Sequence, residues 1–181
     1  METILCYGDS NTWGWDPRGY LGGRYDLPWP ALLGEALGCK TLNLGACGRT
    51  LPGSPGEYRA LEQALKAHRP VGLLVLMLGT NDLLEGREVR EPLRRLLAFL
   101  KAREPGLPLL VLVPPAIGLP QFRQASLALP DICRQEADFL CDTQRWDLPL
   151  CFDGIHLTEE GHRIFARNLA DFLRDHKEEW T

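Results

Sequence analysis

Five short apolar runs recur along the chain, at Thr3–Tyr7, Lys40–Leu44, Gly72–Leu78, Leu107–Val113 and Asp138–Cys141. Each is apolar on both faces instead of alternating, which is how a strand reads when helices cover both sides of its sheet. Helical stretches lie between them. Val89, Leu93, Leu96, Leu97 and Leu100 fall at i, i+4, i+7, i+8 and i+11, one apolar face, and Pro92 sits early where its missing N–H costs little. Thr158 is placed to cap a last helix, with Glu159 and Glu160 at the positive end of its dipole and Phe165, Leu169 and Phe172 as its apolar stripe. Further helices are predicted over Glu57–His68, with Ala60, Leu61, Ala64 and Leu65 inward, and over Trp29–Leu37, while Pro120 and Pro130 interrupt the stretch 118–135. With no repeat, linker or low-complexity tract, this alternation predicts one α/β domain spanning residues 1–181, built on a parallel sheet with right-handed crossovers.

Composition narrows the function. Net charge is −4 and Lys and Arg form no stripe, so the electrostatic footprint of a nucleic-acid binder is missing. The longest apolar run, Leu73–Leu78, is far too short to span a bilayer. Met1 to Ile4 lead directly into the first strand without the basic start and apolar stretch of a signal peptide, so a cytoplasmic protein is expected. Six cysteines, at 6, 39, 47, 133, 141 and 151, include no Cys-x-x-Cys pair. They read as reduced thiols, with Cys6 and Cys141 as small hydrophobes in strands, and neither a metal site nor a cofactor is expected.

In a parallel sheet ligands gather at the carboxyl ends of strands. The chemistry-bearing residues of this chain fall at those ends: Gly8-Asp9-Ser10 after the first strand, Gly45–Thr50 after the second and Gly79-Thr80-Asn81-Asp82 after the third. Ser10 lies on a strand-to-helix turn, which would expose its hydroxyl and leave backbone N–H groups unpaired at the helix start. Asp153 and His156 share one loop near the other end of the chain. There the carboxylate can hold Nδ1–H, so that Nε2 can take a serine proton. Asn81 can donate an uncharged amide hydrogen bond to an oxyanion, and Gly48 or Gly45 can bring a backbone N–H close. Asp9 and Asp82 are expected to turn toward backbone donors and hold their loops. His68 and His176 end helices, and His162 is expected on the solvent side of the last helix, so none of the three is a candidate base. Spacing puts Trp13 and Trp15 on different sides of a helix, one to line a pocket and one to pack. Trp13 and Ile155 are the candidate substrate-contacting residues.

Taken together, Gly8-Asp9-Ser10, Gly48, Gly79-x-Asn81-Asp82 and Asp153-x-x-His156 resemble the SGNH/GDSL hydrolase superfamily, whose blocks supply serine, glycine, asparagine and histidine in this order. Gly8 to Trp15 and Met77 to Asp82 look especially like its bacterial arylesterase and acetylesterase branch. The resemblance implies a three-layer α/β/α, flavodoxin-like fold with a five-stranded parallel sheet. It implies Ser10 as nucleophile, His156 as general base and then acid, and Asp153 as the residue orienting it. The implied oxyanion donors are the Ser10 N–H, the Gly48 N–H and the Asn81 amide, and the implied partner is a small-molecule ester. Asn11 stands where the name-giving motif has leucine, a change expected to alter only pocket shape. The short span from Pro114 to Asp153 leaves little chain for a lid, so an open site for short acyl groups is expected.

The expected activity is a serine-dependent carboxylic ester hydrolase that uses an acyl-enzyme on short-chain acetyl or aryl esters. An acyl thioesterase or lysophospholipase-like hydrolase shares the acyl half-reaction. A non-catalytic flavodoxin-like module would instead bind an anion after the first strand, but Asp9 and a single glycine suit a phosphate poorly there.

Overall fold

The computed structural model describes residues 3–19 and 21–180, so Met1 and Glu2 of the expected leaderless start lie outside the described residues. Five parallel strands form the central sheet: β1 (Thr3–Gly8), β4 (Thr41–Gly45), β5 (Val71–Met77), β6 (Leu109–Val113) and β7 (Phe139–Asp142). Their spatial order is β4-β1-β5-β6-β7. Numbered within this sheet alone, that is 2-1-3-4-5, the flavodoxin-like order, whose crevice opens where the chain reverses direction on either side of the first strand.

Every strand lies within two residues of its predicted span, because continuous apolar runs demand cover on both faces and the helices supply it. On one face Leu5 and Tyr7 of β1 join Leu74 and Leu76 of β5 under α3 (Pro55–Ala67), α5 (Arg90–Arg103) and α7 (Leu129–Glu136). On the other, Ile4 and Cys6 join Leu73 and Val75 under α2 (Trp29–Leu37) and α8 (Glu159–Asp175), where Trp29, Leu33, Phe165, Leu169 and Leu173 are fully buried. The three layers follow directly.

Local chemistry sets the helix ends. Ser54 and Glu57 form a reciprocal capping box at α3, and the Thr158 hydroxyl accepts from Gly161 N–H at 3.0 Å to start α8; a cap of this kind is worth about 1 kcal/mol. Pro120 and Pro130, read from the sequence as interruptions, instead sit in the first turns of α6 (Pro120–Leu127) and α7, where no intrahelical N–H is needed. The stripe of α8 also differs from expectation: Leu173 is buried, whereas Phe172 is only partly so and stacks on His176 at 4.2 Å.

Three small elements were not foreseen as such. The segment after Ser10 is a single turn, α1 (Ser10–Trp13), and Asn81 lies on another short helix, α4 (Thr80–Leu84). Between α1 and α2 a two-stranded hairpin forms from β2 (Trp15–Asp16) and β3 (Gly23–Arg24). Trp15 therefore stands on a strand, and the two tryptophans do not share a helix.

Candidate functional site

β1 ends at Gly8, and Asp9 caps the turn that follows. Its side chain is buried and accepts from Asn11 N–H at 2.9 Å, which fixes the strand-to-helix bend that carries Ser10. Burial raises the Asp9 carboxyl to about 6, against the opposing pull of the Asn11 N–H, of His156 and of the Thr80 hydroxyl. Ser10 is 8% exposed. Its N–H, first in α1, has no acceptor among the described residues.

From the far end of the chain, residues 151–157 form a tight loop held by Gly154 N–H to Cys151 O and Cys151 N–H to His156 O, at 2.9 and 2.7 Å. Asp153 Oδ1 accepts from the N–H groups of both Ile155 and His156 at 3.0 Å, and its Oδ2 lies 2.6 Å from His156 Nδ1. With Nδ1–H given to Asp153, Nε2 is left as an acceptor, and it lies 2.9 Å from Ser10 Oγ across 146 positions of sequence. Burial pushes the Asp153 carboxyl up. The hydrogen bonds from the His156 ring and from the His156 and Ile155 N–H groups outweigh that and hold it below the usual carboxylate range.

The loop after β4 supplies further donors. Gly45 and Gly48, left open by spacing, differ sharply. Gly45 N–H already donates to Asn43 Oδ1 at 2.9 Å, and a Cβ there would lie 2.1 Å from Trp13 N, so Gly45 is the close contact between β4 and α1. Gly48 has φ +73° in a turn closed by Arg49 N–H to Ala46 O, with open space around it and no acceptor for its N–H among the described residues. Asn81 Nδ2 donates one proton to Arg49 O at 2.9 Å, which leaves its second proton available.

Several residues hold these donors in place. Asp82, fully buried, accepts from Leu51 N–H at 3.0 Å and so ties α4 to the Gly48 loop; burial raises its carboxyl despite that bond and the nearby Arg87. Asp9 and Asp82 thus do bond backbone donors. Arg49 was missed by the sequence reading. Its guanidinium lies 4.0 Å from the Tyr7 ring centre and donates to Gly8 O at 2.9 Å and to Leu44 O, stapling the ends of β1 and β4. A charged residue beside a loop glycine carries no signal for such a role.

Asn11, expected to alter only pocket shape, has a structural part as well. It is 2% exposed, and its amide bonds the backbone of the histidine loop: Nδ2–H to Ile155 O at 3.0 Å, and Oδ1 from Leu157 N–H at 2.9 Å. Ile155 itself is half-buried. Of the two tryptophans it is Trp15 that lies against the imidazole, 6.4 Å between ring centres, while Trp13 lies 6.0 Å from Trp15 with the Arg24 guanidinium over its ring.

His162 corrects another expectation. It is fully buried, not on the solvent side, because it stands three positions before Phe165 on the face of α8 that meets α2. Its Nδ1 accepts from Trp29 N–H at 3.2 Å, its ring meets Tyr25 edge-on at 5.1 Å, and burial lowers its basicity to about 4. His68 and His176 cap the ends of α3 and α8, away from Ser10. All six cysteines are unpaired. Cys6 and Cys141 are buried in β1 and β7, whereas Cys47 is exposed.

Among the described residues no group of three or more His, Cys, Asp or Glu could hold a metal ion, and no helix is long and apolar enough to cross a membrane. A cavity of about 700 Å³ between α3 and α5 is lined by Tyr58, Arg59, Arg95 and Phe99, with no histidine or cysteine in its lining, and the Ser54 hydroxyl at its edge serves the α3 capping box. The arrangement that can do chemistry is the one at the crevice of the sheet: a hydroxyl, an imidazole and a carboxylate in series, with hydrogen-bond donors on two neighbouring loops.

Known proteins of similar sequence and fold give the family. No curated protein sequence matches the chain. Among solved structures it is similar to a carbohydrate acetylesterase family member from Sinorhizobium meliloti, at 28% identity over 97% of this chain and 98% of that one, with a TM-score of 0.84. It is also similar to the M. smegmatis aryl esterase, at 26% identity over 97% and 99% of the two chains, with a TM-score of 0.79. The family described as GDSL-like lipase/acylhydrolase matches residues 6–164. The chain belongs to that family, and it is an ester hydrolase of the serine type.

Proposed function

We propose that this esterase cleaves short-chain acyl esters, acetyl esters of aryl or sugar alcohols foremost, through a covalent acyl-enzyme on Ser10. The observation that carries the reading is the unbroken series Ser10 Oγ, His156 and Asp153, at 2.9 and 2.6 Å. In the first half-reaction Ser10 Oγ attacks the ester carbonyl carbon while His156 Nε2 takes its proton. Asp153 keeps Nδ1 protonated and faces the imidazolium that results. The negative oxygen of the tetrahedral intermediate is met by the Ser10 N–H, the Gly48 N–H and the spare Asn81 amide proton. His156 then protonates the leaving alkoxide, the C–O bond breaks, and the acyl group remains on Ser10. Water repeats the sequence, giving its proton to Nε2, and releases the acid.

What borders the imidazole supports this substrate class. The leaving alcohol must come within hydrogen-bond reach of Nε2, so the ring beside His156, that of Trp15, flanks the alcohol side. A flat apolar face suits an aryl group or the C–H face of a pyranose. The relatives named above, an aryl esterase and a carbohydrate acetylesterase, support the same two alcohols.

A screen of acetyl, butyryl and octanoyl esters, with the matching thioesters, against wild type and Ser10→Ala tests the reading. Best turnover of acetyl esters, lost in Ser10→Ala, is expected. Steeply better turnover of octanoyl esters, or of thioesters over esters, would overturn the assigned substrate class.

A further inference from the structure

Resting on the proposed roles of Ser10 and His156, the geometry points to Asn11 as a positioning residue that sets the distance between nucleophile and base. The histidine loop is internally complete: Asp153 holds the Ile155 and His156 N–H groups and the imidazole by bonds local to the loop. Those bonds orient the ring but do not say where the loop stands relative to Ser10. Elsewhere the loop is tied to the segment after β6, by Gly118 N–H to Gly154 O at 2.7 Å, and to Tyr25, through Cys151 Sγ at 3.6 Å. Neither binds the histidine loop directly to the turn that carries the serine; Tyr25 reaches that turn only at its far end, by its N–H to Gly14 O at 2.9 Å.

Asn11 supplies that tie. It directly follows Ser10, on the one-turn helix whose start Asp9 fixes. Its amide accepts from Leu157 N–H and donates to Ile155 O, so it grips the backbone immediately before and immediately after His156. Both bonds are buried or partly buried, and donor and acceptor sense is fixed at both ends. A leucine has nearly the same shape but neither bond. An aspartate keeps the acceptor for Leu157 N–H and turns an anionic oxygen toward Ile155 O.

The consequence is selective. Without the grip, the Asp153–His156 pair survives while the Ser10–His156 contact loosens, so proton transfer to Nε2 suffers and substrate binding does not. A misplacement of about 1 Å at reacting groups can cost about 10²-fold in rate.

The test compares wild type, Ser10→Ala, Asn11→Leu, Asn11→Asp and the distant core variant Leu33→Ala, with phenyl acetate as substrate. Expected for Asn11→Leu is a kcat lower by about 10²-fold with KM nearly unchanged. The low-field proton resonance of His156 Nδ1–H should be retained, because its bond to Asp153 is local. Asn11→Asp, which keeps one bond, should lie between Asn11→Leu and wild type. Leu33→Ala, although it melts earlier, should keep the wild-type kcat. Near wild-type kcat in a folded Asn11→Leu or Asn11→Asp, or a loss that appears in KM alone, overturns the positioning role. If Asn11→Leu does not fold, Asn11→Asp decides by the same criterion. A Ser10→Ala protein that still turns over at the wild-type rate overturns the nucleophile and this proposal with it; an inactive Ser10→Ala beside an active Asn11→Leu overturns the proposal alone.

Discussion

Asn81 gives one of its two amide protons to the carbonyl oxygen of Arg49, 2.9 Å away. That bond orients the second proton and joins α4 to the turn that carries Gly48. If the second proton meets the oxyanion, Asn81→Ala should lower kcat by about 10²–10³-fold with little change in KM. A change of only a few fold would leave Asn81 as a loop tie.

The two glycines of the second loop should behave differently when given a methyl group. At Gly45 a Cβ would lie 2.1 Å from the Trp13 nitrogen and 2.6 Å from its Cα, backbone that can yield only if α1 moves and carries Ser10 with it. Gly45→Ala should lose both thermal stability and activity. Gly48 has open space and only the cost of its φ of +73°, about 1–2 kcal/mol, so Gly48→Ala should melt a few degrees earlier and keep most of its turnover. Melting curves and kcat for the pair check this; equal effects would contradict the packing described.

Trp15 is held from beneath. A Cβ on Gly22, where φ is +72°, would fall 1.9 Å from the Trp15 ring, so glycine is what lets the hairpin close under the indole. Trp15→Ala should lower kcat/KM for phenyl acetate relative to ethyl acetate by about 3- to 10-fold, the equivalent of the roughly 0.5–1.5 kcal/mol of an aromatic contact. Gly22→Ala should show the same selectivity loss by displacing the ring. Equal effects on both alcohols would remove Trp15 from the leaving-group side.

Stability should depend on pH through His162. Its folded basicity is lowered to about 4, whereas in the unfolded chain histidine titrates near 6.5. Between these values the unfolded chain binds the extra proton, so stability falls as pH drops from about 6.5 to about 4, by up to roughly 3 kcal/mol. Asp9 acts with the opposite sign, because its folded pKa of about 6 lies above the free value and the folded state binds its proton first as pH falls. His162→Gln removes the histidine contribution and leaves that of Asp9. Urea midpoints at pH 7 and pH 4.5 should therefore converge toward higher relative stability at low pH in the variant; an unchanged pH slope would contradict the buried neutral imidazole.

The strands and long helices were legible because one-dimensional signals determine them. Apolar runs give buried strands, and the Val89–Leu100 period gives α5. The serine, aspartate and histidine could be singled out because each falls at a strand end or in the loop nearest one. What was not legible depends on three-dimensional neighbours. Asn11 reads as a substitution in a motif until the loop it bonds, 144 positions away, is in place. The hairpin under Trp15 has strands of two residues, too short for any period. His162 was the avoidable error, since its spacing to Phe165 already placed it on the buried face of α8.

The most direct measurement is intact-mass and peptide mapping after reaction with a fluorophosphonate, across wild type, Ser10→Ala and His156→Ala. Wild type should take up a single adduct, mapped to Ser10, with parallel loss of esterase activity; His156→Ala should label far more slowly, and Ser10→Ala not at all. An adduct on another residue, or labelling of His156→Ala at the wild-type rate, would contradict the pairing of Ser10 with His156 as nucleophile and base.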